Sequence, residues 1–282
     1  MNRSNYNNFL LTLTKFATGF ILFVLFFLLS VIFWKGIKAI NPEFILTSSK
    51  NFGSDGGIFY QIIGTLLLVT FAAVISFPIA LGTAIFKSEY LSNSKFKKLL
   101  EVLIYGLNGI PSIIFGIFGL ILFVNILNTG ISWFVGSIIL AFMILPTIVL
   151  STYQSLNSIP RIYKENAQAL GLNKWQVITS VLLPQGIGGA ITGLLIGLAR
   201  AAGETAPIMF IATAYSGVEV PGSFFEPVTA LPTHILALAQ QATNPQALQN
   251  AWGASVVLIS LIMIFSISGL YTRIKLTTIS KR

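Results

Sequence analysis

The sequence predicts an all-α polytopic membrane protein with six transmembrane helices. The chain of 282 residues is 55% hydrophobic and 9% charged, and its mean hydropathy of +0.84 is too high for an ordinary soluble domain. Six apolar stretches are each long enough to cross about 30 Å of hydrocarbon at about 1.5 Å per residue. They run near 16–34, 60–86, 101–127, 131–153, 186–215 and 252–271.

The first apolar stretch has an alternative interpretation as a signal peptide. It is long for the apolar core of such a peptide, Lys35 and Lys38 follow it, and it lacks a clear small-residue cleavage site. We therefore interpret it as a transmembrane helix.

The basic residues sort by side of the predicted spans and set their orientation. Most of the 17 Lys and Arg residues lie before the first span, between the second and third, between the fourth and fifth, or after the sixth. The segment from about 216 to 250 carries Glu219 and Glu226 and no Lys or Arg. This asymmetry predicts that both termini are cytoplasmic. The predicted organisation is a cytoplasmic N-terminus (1–15), one membrane domain (16–273) and a cytoplasmic tail (274–282).

Composition argues against several other kinds of function. The net charge of +9 flanks apolar runs instead of forming a basic polar face, so no nucleic-acid partner is expected. With no Cys and a single His, the chain cannot form a disulfide, a thiolate metal site or an all-histidine metal centre. We find no G-x-x-x-x-G-K-[ST] phosphate loop and no nucleophile and base constellation. Catalysis, metal binding and ATP hydrolysis are therefore not expected in this polypeptide.

Four prolines fall inside or at the ends of predicted helices. Each removes a backbone donor and is expected to kink its helix, which packed neighbours tolerate in a membrane bundle. They are Pro78, Pro111, Pro146 and Pro207.

The polar segment 156–184, between the fourth and fifth spans, predicts two short helices. Pro160 suits the start of the first helix, and Gly171 ends it. Asn173 is a plausible N-cap for a second helix that ends before Pro184. An apolar stripe at helical spacing follows that second helix: Trp175, Ile178, Val181 and Leu182. The residues alone leave open whether this helix pair covers the bundle or docks on a partner.

The spacing in this segment resembles the signature loop of ABC importer permeases: E-A-A, three residues, G, nine residues, I-x-L-P. Asn166 stands where the family has Ala, and Val181 where Ile is usual. The resemblance implies a type I ABC importer permease whose loop couples to a separate ATP-binding subunit, which binds the ATP and Mg. The positions carried over for this coupling are Glu165, Ala167, Gly171, Val181, Leu183 and Pro184.

The fifth predicted span contains two charged residues, Arg200 and Glu204. They lie on the order of 20 to 27 Å along the helix from Gly186. A charge there costs at least about 2.5 to 3.5 kcal/mol, so such side chains face the protein interior or a water-filled path. Four residues apart on one helical face, they could form a purely structural ion pair. They could also form a substrate site, where the guanidinium binds an oxyanion and Thr205 adds a hydroxyl.

The run from Arg200 to Pro207 is similar to the span-five signature of the phosphate-specific transport permeases. Runs at 64–68, 109–116 and 230–232 are similar to the same family, and together they indicate its A-type subunit. The resemblance covers nearly the whole chain and implies import of inorganic phosphate across the bacterial cytoplasmic membrane, with Arg200 and Glu204 along the path. The implied partners are a sister permease forming a heterodimer, two ATP-binding subunits and an extracytoplasmic phosphate-binding protein.

Two alternatives stay open from the sequence. One is an importer for another oxyanion, such as sulfate or molybdate, which would share the coupling loop. The other is an ion-gradient-driven transporter or channel, although the chain shows no matched halves. A non-transporting scaffold would not explain two charges in mid-span. His234, in a possible short amphipathic helix over 229–241, is interpreted as a packing or surface residue and not as a proton relay.

Overall fold

The structure is a computed structural model that describes residues 3–91, 95–214, 220–241 and 243–279. Residue Glu219, position 215 and the end of the tail at 280–282 therefore lie outside the described residues. Within these ranges the chain forms twelve α-helices and one two-stranded antiparallel hairpin. The helices are α1 Arg3–Gly36, α2 Pro42–Leu46, α3 Phe59–Glu89, α4 Lys95–Gly109, α5 Ser112–Gly119, α6 Trp133–Asn157, α7 Arg161–Ala169, α8 Lys174–Val177, α9 Leu183–Gly203, α10 Ala206–Ile211, α11 Leu231–Gln240 and α12 Pro245–Ile279, and the strands are β1 Ser49–Lys50 and β2 Asp55–Gly56.

The predicted all-α polytopic fold is confirmed. Among the described residues, five helical segments are long and apolar enough to cross a membrane: Leu10–Ala39, Phe59–Glu89, Trp133–Asn157, Lys174–Gly203 and Pro245–Lys275. The pair Lys95–Gly109 and Ser112–Ile126 makes a sixth if it is counted as one span, with a bend of 96° between its halves. The count of six therefore holds for a bundle with one sharply bent span.

The third predicted span, 101–127, is interrupted at Pro111, where a kink was expected. The helix α4 ends at Gly109, and α5 starts after Pro111, whose ψ of 135° is not helical. Proline lacks a backbone N–H, and its ring disfavours helical geometry in the residue before it. After α5 the backbone continues as a π-helical segment, Leu120–Ile126.

The fifth predicted span, 186–215, is not one helix: the apolar segment runs Lys174–Gly203, and the helix is interrupted near Pro207, where a kink was expected. The helix α9 ends at Gly203, Glu204 is extended with ψ of 126°, and α10 begins after Thr205. Pro207 explains the break, because it cannot donate to the carbonyl four residues earlier and its ring clashes with that carbonyl. Pro78 and Pro146, by contrast, lie inside α3 and α6.

The centre of the bundle is built by α3, α6 and α9, whose buried faces share one hydrophobic core. A line of glycines on α9 brings this helix close to α6. The hydroxyl of Ser151 donates to the Gly189 carbonyl at 2.8 Å, and a Cβ on Gly193 would lie 2.7 Å from Cβ of Ser151. Small residues allow such close backbone approach between membrane helices.

The hairpin, α11 and the start of α12 form a small cap at one end of the bundle. The predicted short helix over 229–241 is present as α11, and His234 on it is buried. His234 packs on Gly53, whose φ of +94° suits glycine. Burial lowers the pKa of His234 to about 4. Asn250 fastens this cap, because its Nδ2 donates to the carbonyls of Gly53 and Ser54.

The first transmembrane helix leaves the bundle. No residue of its apolar window is buried, and its C-terminal end packs on α12, where Gly36 lies against the Trp252 carbonyl and the Val256 side chain. Residues 3–15 belong to the same helix, so the described part of the predicted cytoplasmic N-terminus is helical.

Candidate functional site

Arg200, in the last turn of α9, contacts the end of α4 and the residue that follows its own helix. Its Nε donates to Oε1 of Glu204 at 3.5 Å, and its Nη1 donates to Oδ1 of Asn108 on α4 at 3.1 Å. The Arg200 side chain is 36% exposed and that of Glu204 17%. The guanidinium is therefore held from two sides, with part of it open at the surface of this chain.

The predicted proximity of Arg200 and Glu204 is present, but its predicted cause was wrong. The two residues do not share a face of one continuous helix, because Glu204 is the extended residue that follows α9. Thr205 comes next, is partly buried and is the N-cap residue of α10, and its carbonyl accepts from Met209 N at 3.1 Å. Its hydroxyl does not cap α10. A role for Thr205 along a pathway remains a prediction.

Sequence reasoning missed Asn108, the second partner of Arg200. The available signal was Pro111, since a helix rarely continues to a proline and the polar residue just before such a break is then free to reach a neighbour. Asn108 lies one residue before the end of α4. The break thus supplies both a sharp bend and a polar side chain.

The two breaks lie side by side. Besides the contact of Arg200 with Asn108, α5 packs on α10, where a Cβ on Gly116 would lie 2.8 Å from Cα of Pro207 and 3.1 Å from the Ala206 carbonyl. Irregular backbone at membrane depth is tolerated only where protein buries it or where it lines a water-filled cavity. Paired discontinuous helices of this kind form the ion and substrate sites of many transporters.

This arrangement suits an anion chemically. An Arg side chain has five N–H donors in a planar fork that matches an oxyanion, and the contacts to Glu204 and Asn108 engage two of them. The Glu204 carboxylate lies beside the guanidinium and balances its charge. Across the described ranges, no group of three His, Asp or Glu side chains is placed to hold a metal ion.

The second candidate region is the segment 156–184. The helix α7 ends at a turn in which Gly171 has a φ of +84°, and Leu172 N donates to the Ala167 carbonyl at 3.2 Å. The predicted glycine break is confirmed and needs glycine, because other L-residues rarely adopt this φ. Asn173 caps α8 as predicted: its side chain accepts from Gln176 N, and the Gln176 side chain accepts from Asn173 N.

The predicted end of the second helix before Pro184 was wrong. The helix runs from α8 through a π-helical segment, Ile178–Leu182, into α9, and Pro184 lies in the first turn of α9. The wider π turn changes the backbone hydrogen-bond register just before the proline, which cannot donate.

The predicted apolar stripe on this helix packs on the bundle instead of forming one free face. Ile178 and Leu182 are buried and Val181 is partly buried, while Trp175 is 65% exposed. The exposed apolar side chains come from both short helices and their turn, and Leu170 is 81% exposed. We call this set the coupling surface: Ile162, Tyr163, Leu170 and Trp175.

The structure places the remaining signature residues around this surface. Glu165 is exposed on α7, Ala167 is buried beneath it, Leu183 is partly buried, and Pro184 is exposed. The segment thus has an inner side that packs on the bundle and an outer side that carries charge and apolar surface.

The chain is similar in sequence to known transport proteins. The family described as "Binding-protein-dependent transport system inner membrane component" matches residues 76–279. "Probable ABC transporter permease protein YqgI" of Bacillus subtilis is 30% identical over 273 residues, covering 90% of this chain and 92% of that protein. "Phosphate transport system permease protein PstA" of Pasteurella multocida is 31% identical over 263 residues, covering 93% and 92%.

Solved structures share the fold. A bacterial alginate ABC transporter, solved in complex with an alginate-bound periplasmic protein, has a chain with a TM-score of 0.67 at 16% identity, covering 94% of each chain. The likeness agrees with the importer-permease architecture that the signature loop implied.

Proposed function

Because this chain belongs to the family of binding-protein-dependent transport system inner membrane components, we propose that it is the permease subunit of an ATP-driven importer for inorganic phosphate. The observation that carries the proposal is the Arg200 guanidinium, held by Glu204 and Asn108 where two broken spans meet. The relative in Pasteurella multocida named as a phosphate permease supports this choice of substrate.

Phosphate passes close to Arg200 in this proposal. The partly exposed guanidinium donates hydrogen bonds to the anion. As the anion binds, part of the contact between Arg200 and Glu204 is lost. Thr205 follows Glu204 at the start of α10 and adds a hydroxyl to the same stretch of the path. Weak, shared contacts suit a transporter, because a tightly bound ion would not leave.

The energy comes from a separate subunit. The chain has no nucleotide phosphate loop, so ATP and Mg bind to two ATP-binding subunits, and this chain is not itself an enzyme. The coupling surface, whose most exposed residues are Leu170 and Trp175, docks into a groove of one of these subunits. The segment 156–184 therefore faces the cytoplasm, and both termini lie on the same side.

Two further partners complete the assembly. The apolar face of α1 and the open side of Arg200 are exposed in this chain alone, and a sister permease that forms a heterodimer covers part of this surface. On the opposite side of the membrane, an extracytoplasmic phosphate-binding protein delivers the anion to the cap formed by the hairpin and α11. The alginate transporter, solved with its periplasmic protein, supports such an assembly.

Transport follows from alternating access. Closure of the ATP-binding subunits moves the docked segment 156–184, and the bundle changes from inward-facing to outward-facing. Phosphate then enters from the binding protein and leaves toward the cytoplasm after ATP hydrolysis. The helices are interrupted at 110–111 and 204–205, and in this proposal the helical segments rotate against each other at these breaks.

Competition between anions tests the substrate. The complete complex, with its binding protein, is reconstituted in proteoliposomes, and uptake of radiolabelled phosphate is followed with and without internal ATP. We expect uptake that requires ATP and is insensitive to excess sulfate or molybdate. Transport of sulfate or molybdate in place of phosphate would favour the other-oxyanion importer. Uptake driven by an ion gradient without ATP would favour a transporter of another class.

A further inference from the structure

The end of α3 near Glu89 contacts the coupling segment on one side and α4, which carries Asn108, on the other. Glu89, the last residue of α3, forms an ion pair with Lys164 of α7. The ammonium group of Lys174 on α8 lies over the ring of the next residue, Tyr90, 4.3 Å from the ring centroid. The two short helices of the coupling segment are thus both attached to α3.

The Glu89 and Lys164 pair is well shielded from solvent. The Glu89 side chain is 11% exposed and that of Lys164 24%, and Glu89 also accepts from the Ser88 hydroxyl at 2.8 Å. A shielded, hydrogen-bonded pair holds its partners in place far better than an exposed one, and removing one partner leaves an uncompensated charge. A displacement of α7 therefore pulls on the end of α3.

Lys87, two residues before Glu89, connects α3 to α4 and α6. Its side chain is 2% exposed, its Nζ lies 3.3 Å from Oε1 of Glu101 on α4, and it sits over the ring of Tyr153 on α6 at 4.0 Å. Residues two apart on a helix point about 200° apart. One turn of α3 therefore holds the coupling segment with Glu89 and holds α4 with Lys87.

The helix α4 packs on the core through Leu100, Ile104 and Leu107. Of its residues, all of which the structure describes, only Ile104 is buried. Glu101 and Asn108 are seven residues apart, which is about two turns or about 10 Å on one helical face, and Ile104 lies between them on that face. One face of α4 is thus held by Lys87 at one point and by Arg200 at the other.

We infer that Lys87 and Glu89 are positioning residues that transmit movement of the coupling segment through α4 to the Arg200 site. The inference rests on the proposed function, in which that segment is moved by ATP-binding subunits. In this route α3 shifts with α7, α4 follows through the Lys87 and Glu101 pair, and Asn108 is withdrawn from or returned to Arg200. The coupling segment also continues directly into α9, which carries Arg200. Movement along both routes therefore changes the distance between Arg200 and Asn108.

Spin labels can report this movement because the chain contains no cysteine. Cysteines are introduced at Val102 on α4 and Ile264 on α12, both exposed, and the label distance is measured by double electron–electron resonance in the complete complex with and without ATP. Uptake per ATP hydrolysed is measured in parallel. The variants are Glu89→Gln, Glu89→Lys, the exchange Glu89→Lys with Lys164→Glu, and Lys98→Gln as an exposed control on α4.

We expect the wild-type distance to change with ATP. Glu89→Lys should abolish that change and lower uptake per ATP about fivefold or more, the lower end of usual coupling strengths. The charge exchange should restore both, and Lys98→Gln should behave as wild type. Glu89→Gln, which keeps the size of the side chain, should show the same loss in weaker form and serves if Glu89→Lys does not assemble.

A wild-type distance change together with wild-type uptake per ATP in Glu89→Gln or Glu89→Lys would overturn the inference. An assembled charge exchange that restores neither would also overturn it. The distance measurement depends on ATP and not on the identity of the cargo. A complex that shows the expected distances but takes up no phosphate would therefore contradict the proposed substrate and leave the relay supported.

Discussion

Asn108 on α4 accepts a hydrogen bond at 3.1 Å from the guanidinium of Arg200 on α9, although 92 residues separate them in sequence. The contact joins α4 to α9, and each of these helices ends within a few residues of it. Any change in the angle between these spans changes the donors that Arg200 can offer to an anion.

Replacing Asn108 with Leu keeps the approximate size of the side chain and removes the acceptor. We expect uptake to fall about threefold to tenfold, since hydrogen bonds to charged groups are worth about 1.5 to 3 kcal/mol and this one is partly exposed. ATP hydrolysis should be retained. Asn108→Gln, which keeps the amide, is the control, and unchanged uptake in the Leu variant would contradict a role for this contact.

Replacing Leu170 with Glu places a charge at the most exposed point of the coupling surface. We expect the ATP-binding subunit to dissociate from the complex during size-exclusion chromatography, because an unpaired charge in a docking groove costs several kcal/mol. Asn7→Glu adds the same charge at an exposed position in the predicted cytoplasmic N-terminus and should leave assembly intact. Equal retention of the ATP-binding subunit in both variants would place the docking surface elsewhere.

Replacing Gly189 with Val should destabilise the bundle. The added side chain meets Ser155 and the Ser151 carbonyl on α6, and overpacking of this kind costs about 1 to 3 kcal/mol or more. We expect a lower melting temperature of the isolated permease in detergent. Gly82→Val on α3 is the matched control, since nothing lies within 4 Å of a Cβ there. Equal melting temperatures for the two variants would contradict the close packing of α6 and α9.

The burial of His234 makes stability depend on pH. Its pKa is lowered from 6.5 to about 4 in the folded protein, so below about pH 6.5 the unfolded chain binds a proton that the folded chain does not. This contribution to stability is complete above pH 6.5 and is lost as pH falls toward 4, by up to about 3 kcal/mol.

The corresponding measurement is the melting temperature of the permease in detergent between pH 7.5 and 4.5. We expect His234→Gln to show a smaller fall over this range than the wild-type protein, whatever its stability at pH 7.5. Parallel curves for the two proteins would mean that His234 titrates normally in the fold.

Hydropathy placed the spans because it depends on a property that runs over about twenty residues. The breaks at Pro111 and Pro207 depend on single residues, and a proline is tolerated inside α3 and α6 at Pro78 and Pro146. Only packing against neighbours decides between a tolerated proline and a broken span. The sequence could therefore predict the six segments but not which of them bend.

The candidate site was predictable only where local sequence determines the structure. Arg200 and Glu204 are close in sequence and pair even though the helix ends between them, whereas Asn108 comes from a different span and needs the fold to bring it close. In the coupling segment, the turn at Gly171 and the cap at Asn173 follow from local backbone chemistry. The burial of Ile178 and Leu182 follows from tertiary packing that periodicity cannot reveal.

The most direct test of the account is phosphate uptake by the reconstituted complex carrying Arg200→Gln, with Lys98→Gln as control and ATP hydrolysis measured in the same vesicles. We predict that Arg200→Gln lowers uptake about tenfold or more, about 1.4 kcal/mol or more, while assembly and ATP hydrolysis persist. Arg200→Lys should retain a fraction of the uptake, since it keeps the charge but not the planar fork. Wild-type phosphate uptake by Arg200→Gln would contradict a phosphate path past this residue.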